Sequence, residues 1–133
     1  MAHEWDIESW VRTYVLSVDD NDAADDVGWH PNALQHIIDG LAWATERLKR
    51  SVAPHVLHWF VELAEYGALS IREEQHESED EKQRFLLWVQ AAIAELDDRI
   101  AECHQASVRR HYRIQRAAAQ KAIDSLKGTP STV

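Results

Sequence analysis

Apolar residues recur along this chain at three- and four-residue spacing, the period of an amphipathic helix. Ile7, Trp10, Val11, Tyr14, Val15 and Val18 trace one stripe. It predicts a helix over about residues 4–18, with Asp6 and Glu8 in a first turn whose dipole favours carboxylates. Leu34, Ile37, Ile38, Leu41, Thr45 and Leu48 trace a second stripe. That helix opens near Pro31, with His30 or Asn32 at its cap, and ends by Arg50. Gly40 costs its interior about 1 kcal/mol relative to alanine, which points to a close helix crossing there. Leu57, Phe60, Val61, Ala64 and Ala68 predict a third helix. Because a proline inside a helix removes a hydrogen bond, this one starts anew at Pro54, with Ser51 as a cap. Gly67 and the capping-box pair Ser70 and Glu73 predict an interruption near its end.

The clearest boundary is Ser78-Glu79-Asp80-Glu81, a serine cap followed by three acids. From there Leu86, Val89, Ile93, Leu96, Ile100, His104, Val108, Tyr112, Gln115, Ala119, Ala122 and Leu126 hold one stripe, shifted near Cys103 and His104. No proline or glycine intervenes before Gly128. Read as one piece, residues 79–127 make a helix about 73 Å long at the standard rise, more than a domain of this size can cover. Either it breaks near Ser107 and a fifth helix packs back, or it projects as an arm that meets a second chain.

These stripes predict an all-α fold, a bundle of four or five helices with a long C-terminal helix in a single helical domain over residues 1–127. Residues 19–30 read as an exposed acidic connector, because the stretch from Asp19 to Asp26 holds five Asp and no apolar period. Residues 128–133 read as a flexible tail. Four Gly and three Pro in 133 residues are too few for the tight turns of an all-β chain. An apolar fraction of 45% with six Trp opposes wholesale disorder, and no apolar run is long enough to span a bilayer.

Charge divides the chain in two. Residues 1–103 carry eight basic and 22 acidic side chains, whereas from 104 onward Asp124 is the single acid against Arg109, Arg110, Arg113, Arg116, Lys121 and Lys127. Residues 104–127 are thus a basic helical arm on an acidic body. Such a face can fold back on its own body or on another copy, dock on an acidic protein, or follow nucleic-acid phosphates. Base-specific reading is not expected, since Tyr112 is the one aromatic in that segment and lies on the packing stripe. The lone Cys103 and a polar, acidic start predict a reducing, cytoplasmic location.

Candidate chemistry is thin. His55, His58 and Glu62, with Glu65 one turn on, share one side of the third helix; they read first as the wet flank of a helix that packs Trp59 and Phe60, with metal ligation as the alternative. Glu73 and His76 form one Glu-x-x-His pair where a di-iron bundle needs two. The Asp-rich connector lacks the central glycine and closing glutamate of a calcium loop. Cys103, beside the carboxylate of Glu102, reads as a core cysteine and not as a thiolate. Ser131 and Val133 suit a groove for C-terminal peptides only as a short, unspecific pattern. No catalytic residue, cofactor or metal is assigned.

Of the tryptophans, Trp10 and Trp59 read as core, while Trp5, Trp29 and Trp43 lie off the stripes and read as contact anchors. Burying such a side chain is worth roughly 1.5 to 3 kcal/mol against about 0 to 1 for a surface ion pair, so aromatics set the strength of an interface and charges its orientation. The expected role is a non-enzymatic protein-interaction module, such as an adaptor, inhibitor or small assembly subunit. It would bind a protein partner or itself through Trp5, Trp29, Trp43, Arg109, Arg113 and Arg116. Three other readings remain: a nucleic-acid-associated subunit using the basic helix, an acidic mimic of nucleic acid, and a small metal-dependent enzyme.

Overall fold

Four helices carry the core of the computed structural model: α1 (Ala33–Leu48), α2 (Pro54–Glu73), α3 (Glu79–Glu102) and α4 (Ala106–Asp124). The structure describes residues 10, 16–18, 27–29, 32–50, 52–73 and 79–126, with backbone alone at 16–18 and 27–29. The all-α class expected from periodicity is the class observed. The caps assigned to Ser51 and Ser78, the acidic stretch 19–26 and the tail 128–133 lie outside the described residues.

Two expectations for the first thirty residues need correction. Trp10 is helical, but Leu16–Val18 is a strand (β1), and Val27–Trp29 (β2), placed in the acidic connector, pairs with it antiparallel, Leu16 opposite Trp29. Leu16-Ser17-Val18 and Val27-Gly28-Trp29 both alternate large and small residues. Three residues of that alternation cannot be told from the helical stripe they continue.

The second and third stripes are buried as read. Leu34, Ile37, Ile38, Leu41 and Leu48 of α1 join Leu57, Phe60, Val61 and Ala64 of α2 in one cluster, and Thr45 is buried on the same side of α1. Thr45 enters this apolar face because its hydroxyl donates to the Leu41 carbonyl one turn back, 2.8 Å away. Gly40 marks the close crossing that its cost implied. A methyl there would stand 2.7 Å from Leu63 Cδ1, and the bare backbone lets Trp59 Nε1 donate to the Gly40 carbonyl at 3.3 Å. Trp59 in turn lies between Trp10 and Trp43, with ring centroids 5.0 and 5.4 Å away.

The interruption expected at Gly67 does not occur, and α2 continues to Glu73. The glycine serves packing instead of a turn: a Cβ there would overlap the Phe85 ring of α3, which is fully buried against it. Ser70 is buried on the same helix and does not act as an exposed cap.

The long C-terminal stripe is broken, three residues earlier than Ser107, at Cys103-His104-Gln105. Gln105 is extended, with φ −95° and ψ 120°, and Arg109 reaches back to donate to the Cys103 carbonyl at 3.1 Å. An arginine from the next helix thus meets a carbonyl that α3 leaves unpaired. Cys103 sits half-buried in this turn, its Sγ 3.6 Å from the Gln105 carbonyl, and is not the core residue its place on the stripe suggested. Beyond the turn α4 doubles back, packing on α2 and α3 and burying Ala119 and Ile123. A comparable tie holds α1, where Arg99 of α3 donates to the Lys49 carbonyl at 2.9 Å, just past the last turn.

Candidate interaction surface

The six residues singled out from sequence are dispersed by the fold. Trp5 lies outside the described residues, and of Trp29 only the backbone is described, in β2. Trp43 is half-buried: one side packs on Trp59, and the Arg47 guanidinium stands 5.0 Å from its ring centroid. Its outer edge is therefore shared between core packing and a cation–π contact.

The three arginines separate in the same way. Arg109 holds the α3–α4 turn. Arg116 pairs with Asp97 of α3, Nε to Oδ1 at 2.6 Å and Nη2 to Oδ2 at 3.3 Å, a two-pronged contact that fastens α4 to its neighbour. That hydrogen bond keeps the Arg116 guanidinium even more firmly protonated than usual, against the opposing pull of desolvation. Arg113 is exposed. Only the last of the three points away from the protein's own structure.

Around Arg113 the fold assembles a surface that the stripes did not reveal. Arg110, Arg113, Ile114, Ala117 and Lys121 recur at three- and four-residue spacing on the side of α4 opposite Ala119 and Ile123, and all five are exposed. Ile114 is 57% exposed, one of two large apolar side chains so placed among the described residues; the other is Leu87 of α3 at 63%. Among the described residues, none of Arg110, Arg113 and Lys121 forms an ion pair. The available signal was an isoleucine on the charged side of an otherwise well-segregated helix. The period of the buried stripe does not mark it, because Ile114 lies off that stripe.

The histidine–carboxylate flank of α2 stays open. His55 and His58 are exposed and Glu62 is half-buried. No group of three or more His, Cys, Asp or Glu among the described residues is placed to hold a metal ion. Glu65 nevertheless feels its surroundings. Its carboxyl is raised above the ordinary range chiefly by desolvation, then by Glu62, while His58 pulls the other way. It lines a cleft of about 250 Å³ between α2 and α4 with Arg72 and Lys121. A second, more apolar cleft of about 320 Å³ lies where Pro54 and Leu57 meet Val108 and Tyr112, with His111 at its edge.

No helix among the described residues is long and apolar enough to cross a membrane. Comparison with known protein families, with curated proteins and with solved structures finds no match to this chain.

Proposed function

We propose that this chain is a non-enzymatic protein-interaction module, a helical bundle in a reducing compartment that docks through the outer side of α4. Ile114 supplies apolar contact, and Arg110, Arg113 and Lys121 orient an acidic partner surface over it. The observation that carries this reading is the exposure of Ile114, at 57%, among three cations that form no ion pair with the described residues. Covering an apolar side chain of this size is worth roughly 1.5 to 3 kcal/mol relative to leaving it in water. The cations steer approach and exclude basic partners.

A photo-reactive phenylalanine analogue at position 114, activated in cells of the source, tests it. The expected product is a discrete adduct that survives nuclease, is destroyed by protease, and disappears when Arg113 is changed to Glu. A nuclease-sensitive adduct would transfer the surface to the nucleic-acid reading. Labelling that Arg113→Glu leaves unchanged would remove the surface from function.

A further inference from the structure

We infer that the partner seated on this surface is a second copy of the chain, joined by a two-fold axis running along α3 and α4. The inference rests on the interaction reading and adds the identity of the partner. The Asp97–Arg116 pair fixes how the two helices share an outer side. Both side chains remain partly open to solvent, at 47% and 35%, so the pair lies on the seam between them. Flanking that seam on α3 are Leu87, Ala94, Asp98 and Ala101, all exposed and all turned from the core face of Phe85, Val89 and Leu96. On α4 the flank is the cationic stripe through Arg113 and Ala117. One side of the molecule thus carries an acidic, small-residue ridge beside a basic one.

Such a side is complementary to itself in only one orientation. A two-fold axis perpendicular to the helices lays α3 on α3 and sets like charges together. An axis parallel to them lays α3 of each copy on α4 of the other. Because Arg116 stands level with Asp97 and α4 doubles back, Arg113 lies about one turn nearer the connecting turn, at the height of Asp98 to Ala101. The parallel axis therefore brings Asp98 opposite Arg113 of the second copy, and Glu102, which already pairs with Arg99 of its own helix at 3.1 Å, opposite its Arg110, each contact twice. Ala101 lies between Asp98 and Glu102, and Ala94 and Ala117 continue the contact on the side away from the connecting turn, where the absence of bulk allows the backbones to approach. Nineteen residues of α4 extend about 28 Å. Two helices of that length, about 9 Å apart, offer roughly 560 Å² per copy, below the ~800 Å² per partner of a standard interface. The dimer is accordingly concentration-dependent and salt-sensitive.

Sedimentation equilibrium of the full chain at low and high salt, with far-UV circular dichroism to confirm helicity, tests this. The wild type is expected to dimerise reversibly, more weakly at high salt. Asp98→Arg and Arg113→Asp are each expected to weaken dimerisation about tenfold or more, and the double variant to recover most of the loss, since it restores both pairs with signs exchanged. A monomer at every concentration, or a dimer indifferent to these changes, overturns the inference. A monomer that still gives the Arg113-dependent protein adduct at position 114 overturns self-association while leaving the interaction reading intact.

Discussion

Helices α2 and α4 are nearly equal in length, 20 and 19 residues, yet they are held by different means. Ten residues of α2 are buried, including Phe60, Leu63 and Trp59, and two of its contacts depend on glycines that admit a neighbour's ring or chain end. Only Ala119 and Ile123 of α4 are buried; the rest of its attachment is a half-buried margin, the Arg116–Asp97 pair and the Arg109 bond across the turn. A helix of the first kind belongs to the cooperative core. One of the second kind is anchored at a few points and keeps most of its circumference for solvent or a partner, which is why the candidate surface lies there. Stability varies across a fold with this density of apolar contact.

The contrast can be broken most directly from the α2 side. Phe60 is fully buried, and Phe60→Ala is expected to cost about 3 to 5 kcal/mol in chemical denaturation, lowering all helical signal in one transition. A separate early loss confined to part of the chain would show that α2 is not the centre. On α4, Ile123→Ala should cost about 2 to 3 kcal/mol. Amide exchange should accelerate along α4 well before it does in α1 and α2; uniform acceleration would place α4 in the same cooperative unit.

Smaller changes sharpen the distinction. Because the Arg116–Asp97 pair is partly solvated, Arg116→Ala is expected to cost about 0 to 1 kcal/mol, an effect that fades as salt rises. A loss several times larger, unresponsive to salt, would mean that the pair, and not Ile123, holds α4. The least effect is expected at Glu65, which lines the α2–α4 cleft. The fold raises this carboxyl, so the native state holds its proton more tightly than the unfolded chain does, and ionisation weakens the fold as pH climbs through the carboxylate range. Glu65→Gln should leave Tm unchanged in acid, where the wild-type group is protonated, and raise it slightly at neutral pH. A Tm difference of opposite sign would remove desolvation as the cause.

Much of the fold was legible because burial imposes a period. The stripes of α1 and α2, the tight crossing at Gly40 and the start of α3 all follow from residues within a few positions of one another. The misreadings share a cause as well. Gly67 looks like a helix stop until Phe85, eighteen residues away, is seen against it; Leu16–Val18 looks helical until β2 pairs with it. Of the candidate contact residues, Arg109 and Arg116 looked outward because their acceptors, the Cys103 carbonyl and Asp97, are assigned by a turn that no proline or glycine announces.

The sequence alone determined that the chain is helical, where three of its apolar faces lie, and that its basic charge is concentrated at one end, because period and composition are local properties. Tertiary structure decided where the last stripe folds, which arginines are taken up internally and which remain outside beside Ile114. Each of those outcomes depends on what a residue meets across space, and spacing along the chain carries no record of it.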